Sequence, residues 1–131
     1  MDYLFLLGRI VFGGYFIMNG YNHFKNHGVL TGYAQSKGVP MAREMVYVSG
    51  AMLFLGGLGF VLGVRTSLAA TLLIIFLVVT TFKMHQYWKV ADPMMQMGER
   101  INFYKNLGLL GGVIMTLAIP TPWAMSLITL F

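Results

Sequence analysis

Four apolar runs divide the chain: Tyr3 to Gly20, Val46 to Val64, Leu68 to Lys83 and Ile101 to Ile119. Each approaches the ~20 residues that carry a helix, at ~1.5 Å per residue, across a hydrocarbon layer of ~30 Å. The third reaches that length only when its amphipathic end, through Trp88, is taken as an interfacial turn. The pattern predicts an all-α polytopic membrane protein: an up-and-down bundle of four transmembrane helices over about 3–20, 40–64, 68–88 and 100–120, forming one integral membrane domain over 1–131. Little more than "VRTS" joins the second and third runs, so these form an antiparallel hairpin. The first connection runs from about Tyr21 to Met45 and the third from about Lys89 to Arg100. An up-and-down path places both on one membrane face.

Turn chemistry adds a short interfacial helix to each long connection. In the first it covers about Leu30 to Lys37, with Gly38 as a C-cap candidate and Pro40 opening the second long helix. In the third, Asp92 before Pro93 is an N-cap followed by a first-turn residue.

Composition agrees with the pattern. Only 10% of the 131 residues are charged and the mean hydropathy is +0.70, outside the range of soluble domains. The net charge of +5 would suggest nucleic acid in a soluble chain, but here the basic residues flank apolar runs. Membrane lipids, not nucleic acid, are the partners this implies. Asp2 stands where a signal peptide would be basic, and no small-residue cleavage site follows, so the first run is expected to stay as a helix. Lys25, Lys37, Arg43, Lys83, Lys89, Arg100 and Lys105 lie on or beside the long loops, against Arg65 and Arg9 on the other side. That bias predicts cytoplasmic long loops and outer termini, in a prokaryotic cytoplasmic membrane.

The chain has no cysteine, which excludes thiolate catalysis, disulfide exchange and iron–sulfur ligation. Asp2, Glu44, Asp92 and Glu99 all lie outside the apolar runs, so no relay of buried carboxylates is visible. Phosphate loops, zincin motifs and serine elbows are absent as well. Gly59 with Gly63 and Gly108 with Gly112 have the small-xxx-small spacing that lets membrane helices approach closely. Arg9 is an intramembrane charge whose stem is close enough to the helix start to snorkel to the headgroups or to pair structurally.

The polar clusters at the ends of the first and third runs carry the candidate chemistry. His23 and His27 are four residues apart and His85 lies on the same face of the bundle. Three such histidines could in principle bind a metal or bracket a haem, but Gly28 interrupts the helix and no carboxylate backs them, so neither is expected. The methionines of "MMQM" are read as filler, not copper ligands. His23, His85, Trp88, Tyr104, Lys105 and Asn106 should instead converge at headgroup depth, where donors and aromatic faces suit a quinone head. An aromatic and basic belt would contain the same residue types. Asn106 is also expected to hydrogen-bond across to Asn19 or Asn22.

The stretches "LLGRIVFGGYFIMNGYNHF", "GYAQSKGVP", "SGAMLFLGGLGFVLGVRTSLAA", "FKMHQYW" and "NFYKNLGLLGG", in this order, resemble the DoxX family of small four-helix membrane proteins. The resemblance implies a link to quinone-coupled oxidation, and it places the family's recurring positions on Asn22, His23 and Phe24, on Met84, His85 and Trp88, and on Lys105 and Asn106. The expected function is a redox subunit that binds a quinone or similar lipid-soluble ligand. His23 and His85 would carry protons, Asn22, Trp88 and Tyr104 would contact the ligand, and Lys105 with Asn106 would favour its reduced form. No cofactor motif of the chain's own is visible, so electrons would come from another membrane or peripheral redox subunit, and the chain would not be a complete enzyme alone. The alternative is a non-catalytic assembly subunit of a larger complex, or a homo-oligomer, docked through its glycines.

Overall fold

The structure, a computed structural model, describes residues 1–130. Its order is α1 (Asp2–Lys25), α2 (His27–Ser36), α3 (Ala42–Leu62), α4 (Thr66–Met84), a 3-10 turn (Tyr87–Lys89), α5 (Pro93–Thr116) and α6 (Leu127–Leu130). Among the described residues there is no strand. Three segments are long and apolar enough to cross a membrane: Asp2–Lys25, Ala42–Leu62 and Thr66–Lys89. The segment expected as a fourth span differs. Glu99, Arg100 and Lys105 load the first half of α5, and the apolar stretch after them is short.

The helix boundaries depart from expectation where local chemistry decides. Only Asn26 separates α1 from α2. Asp92 does cap a helix, its side chain accepting the Met95 N–H at 3.0 Å, with Pro93 in the first turn. That helix is α5 itself, unbroken to Thr116, so the separate surface helix expected in the third loop does not exist. Nothing between Pro93 and Ile101 stops a helix except Gly98, a cost of ~1 kcal/mol that packing overrides.

The tightest seam joins α1 to α3. Gly13 and Gly20 on α1 face Gly57 and Gly50 on α3 in antiparallel register, one backbone against the other. A Cβ on Gly57 would sit 2.5 Å from the Gly13 carbonyl oxygen, and one on Gly20 would sit 2.7 Å from that of Gly50. Such approach gains dispersion contact where no water drives association. Of the glycines expected to pack, Gly59 faces the Ala69 side chain of α4, and a Cβ on Gly112 would stand 3.3 Å from the Phe12 ring. Gly63 has φ +69 and ends α3 against Arg9. Gly108 is a correction: its face is outward and a Cβ there would meet nothing within 4 Å.

The core runs through Phe16, Leu53, Phe60, Leu73, Leu77 and Val113, and is closed at the terminal end by Trp123. After α5 the chain folds back beneath the bundle, and the Trp123 ring meets Phe5 and Phe60 edge-on at 5.4 and 5.3 Å. A second small core of Ala34, Ala42 and Val46, with Met84 against it, fastens α2 at the long-loop end.

Candidate functional site

At the long-loop end α4 stops at Met84, and His85 leaves the helical conformation with φ −109 and ψ 46. The turn swings the imidazole inward, where it is 8% exposed. His85 Nδ1 lies 2.6 Å from Glu99 Oε2. An ionised carboxylate only accepts, so Nδ1 is the donor of this bond. Glu99 Oε1 accepts the Tyr33 hydroxyl of α2 at 2.5 Å and pairs with Lys37 Nζ at 3.3 Å. One carboxylate thus ties α2, the exit of α4 and α5 together.

The environment sets the charges. Burial would raise the Glu99 carboxyl, but hydrogen bonds from Tyr33 and His85, with the charges of His85 and Lys37, outweigh it and hold the group below the usual carboxylate range. Burial, then the hydrogen bond to Glu99 and its negative charge, push the Tyr33 phenol well above its ordinary value. Tyr33 therefore serves as a donor and not as a base.

Other expected residues are placed more loosely. Trp88 and Tyr104 are about half exposed and form, with Tyr87 and Phe103, an edge-to-face cluster with ring centroids 5.3–6.1 Å apart. His23 is fixed on α1 by the Asn19 carbonyl at 2.8 Å and stands edge-on to Phe76, and His27 stacks on Tyr47. Among the described residues no three metal-binding side chains of His, Cys, Asp or Glu gather. Asn22 pairs with Asn26 at the surface. Lys105 is exposed and reaches Asn102, while Asn106 faces the interior. The expected bond from Asn106 to Asn19 or Asn22 is not made, because Asn19 turns back to the Tyr15 carbonyl and Asn22 is exposed. Asn106 finds no side-chain partner among the described residues, and the buried Thr31 and Thr81 hydroxyls also lack one.

Glu99 and Tyr33 escaped the sequence reading. On a helix that starts at Pro93, Glu99 precedes Phe103 and Asn106 at four and seven residues, the spacing of one helical face. Starting the helix near residue 100 hides that relation.

Of the two roles expected for Arg9, snorkelling and structural pairing, it takes the second. It is 5% exposed and turns inward, donating from Nε to the Phe60 carbonyl at 3.0 Å, from Nη2 to that of Val61 at 2.8 Å and from Nη1 to that of Ala124 at 2.6 Å. Phe60 and Val61 lie in the last turn of α3, where carbonyls lack the i+4 N–H of a continuing helix and carry partial negative charge, and that of Phe60 also accepts the Gly63 N–H at 3.3 Å. The pairing is structural, with main chain in place of a carboxylate.

The DoxX family model matches residues 4–86, from α1 through His85 and short of α5. No curated protein and no solved structure matches the chain. With more than half of its length matched, and three helices apolar enough to span a bilayer, the chain belongs to the DoxX family of membrane proteins.

Proposed function

We propose that the protein is a membrane redox subunit that binds a quinone or similar lipid-soluble ligand at the long-loop end and receives electrons through a partner protein. The observation that carries this reading is the buried His85 held by Glu99, with Tyr33 and Lys37 on the same carboxylate. An imidazole backed by a carboxylate can take and release a proton at Nε2 while Glu99 stabilises the charged ring. A bound quinone would supply the two-electron acceptor, and its reduction consumes two protons.

The fit rests on the donor set and on the aromatic surface. Trp88 and Tyr104 offer ring area at the membrane edge, Thr31 and Thr81 carry buried hydroxyls that have no partner among the described residues, and Asn106 turns its amide inward. Lys105 adds a positive charge outside. In this reading α5 is the fourth span, completed by neighbouring lipid or a partner, with the long loops in the cytoplasm and the termini outside. His23 has the weaker case, since a main-chain carbonyl, that of Asn19, and not a carboxylate holds its Nδ1.

Equilibrium binding of a radiolabelled long-chain quinone to the purified protein in neutral detergent tests the reading. His85→Ala is expected to weaken binding about tenfold or more, with unchanged helix content. Equal affinity in the variant removes the proposal.

A second reading, an assembly subunit, is favoured by glycine faces that the chain itself does not use. Gly108 and Gly111 on α5, and Gly14 on α1, have open space where a Cβ would stand. Should these faces dock to a partner, Gly108→Leu would shrink the native assembly while His85→Ala would leave it intact.

A further inference from the structure

We propose that the fissure between α1 and α5 at the terminal end binds the anionic head of a lipid-borne amphiphile, a carboxylate or phosphate whose tail remains in the bilayer. The site is separate from the long-loop end and does not depend on the redox reading. The fissure has a volume of about 300 Å³ and is walled by Phe5, Phe12 and Phe60, with Arg9 and Trp123 among its lining and Gly8 at its rim. It exists because α1 and α5 pack chiefly on α3 and α4 and approach each other where Phe12 meets Gly112.

Donor accounting points to the ligand's chemistry. A guanidinium has five N–H groups, and the three carbonyls that Arg9 holds leave two N–H groups over. The Trp123 indole N–H is buried and has no partner, and the guanidinium carbon stands 5.8 Å from that ring and 5.7 Å from Phe5. Among the described residues no carboxylate lies within ion-pair distance of Arg9, so its full charge meets only the partial charges of main-chain carbonyls. Spare donors and an uncompensated cation beside an apolar fissure call for a negatively charged acceptor. The apolar walls and the exposed Leu4 and Gly8 at the rim require that acceptor to arrive on a lipid-soluble tail. A volume near the lower end of ligand cavities suits a head with its first few carbons, not a whole lipid.

Trp123 provides the probe. In a Trp88→Phe background it is the chain's remaining indole, and bromine on an acyl chain quenches indole emission at short range. The full chain in neutral maltoside detergent is titrated with 9,10-dibromostearate and with its methyl ester, which has the same tail without the charge. Saturable quenching by the acid, about tenfold stronger than by the ester, is the expected result. Displacement by palmitate identifies a fatty-acid carboxylate as the source, and displacement by phosphatidylglycerol alone identifies a phospholipid phosphate; either supports the proposal. Equal quenching by acid and ester, or quenching that never saturates, reflects partitioning into the detergent and overturns it.

Removing Arg9 would take a donor from the Phe60, Val61 and Ala124 carbonyls, so the second variant is Gly8→Leu. Gly8 lines the fissure and a Cβ there meets nothing within 4 Å, so a leucine is accommodated and adds bulk at the rim without replacing any partner of Arg9. It should weaken quenching by the acid about tenfold while leaving Trp123 emission unchanged. Undiminished quenching in this variant also overturns the proposal.

Discussion

The long-loop end buries a carboxylate and the terminal end buries a guanidinium, and the bundle neutralises them by opposite means. Glu99 needs three side chains: Tyr33 from α2, Lys37 from just past its end, and His85 from the exit of α4. Arg9 uses main chain that is present anyway, at the end of α3 and in the returning tail. The difference has a physical basis. A helix C-terminus and a turn expose carbonyls that a cation can satisfy, whereas a carboxylate far from any helix N-terminus must recruit its donors. Acid can protonate the carboxylate on which the long-loop arrangement turns, and the arrangement around Arg9 contains no such group among the described residues.

The largest effect expected on this contrast comes from Arg9→Ala. Three carbonyls lose the Arg9 donor, two of them in the last turn of α3, where that of Phe60 keeps the Gly63 N–H at 3.3 Å, and the expected cost is about 2–5 kcal/mol in unfolding titrated by a denaturing detergent. A loss under about 1 kcal/mol would show that water reaches these carbonyls and that the terminal end is not closed.

A change of pH should separate the two ends. Glu99 has a folded pKa below its unfolded one, so its contribution to stability is present above the ordinary carboxylate value of about 4.3 and is lost as pH falls through the lower folded value. Acidification from about pH 6 to about pH 3 should therefore loosen α2, seen as faster amide exchange over His27–Ser36, with no matching change near Arg9. Glu99→Gln should exchange fast in α2 at both pH values. If acid loosens both ends alike, the contrast fails.

The smallest effect belongs to Tyr33→Phe, which deletes one donor and keeps the ring. It should cost about 0.5–1.5 kcal/mol and raise exchange in α2 alone. Protection of the α3 terminus around Phe60 should stay as in the parent protein. An effect there would mean that the two ends are coupled through the α1–α3 seam.

Much of this was legible in the chain. Long apolar runs announce α1, α3 and α4 because a lipid phase tolerates only backbone that satisfies itself. His85 was legible because a histidine closing a run of branched apolar residues has no reason to be there as filler. Glu99 was hidden by a helix start placed several residues too late. Trp123 was hidden because the returning tail has no period to read. The seven-residue spacing of Gly13 with Gly20, and of Gly50 with Gly57, is plain in the sequence, yet a spacing on one helix does not say which partner it faces.

Local and one-dimensional properties were therefore determined by the sequence alone: which long segments are helical and apolar enough to enter a bilayer, that Asp92 caps a helix, and to which family the order of motifs belongs. These follow from hydrophobic length, propensity and capping, each acting within a few residues. Pairings between elements were decided only by the tertiary structure: Glu99 with His85 and Tyr33, Arg9 with the end of α3, Trp123 beneath the core. A charge in the sequence states that it must be neutralised, but which group does so depends on the distances that packing creates.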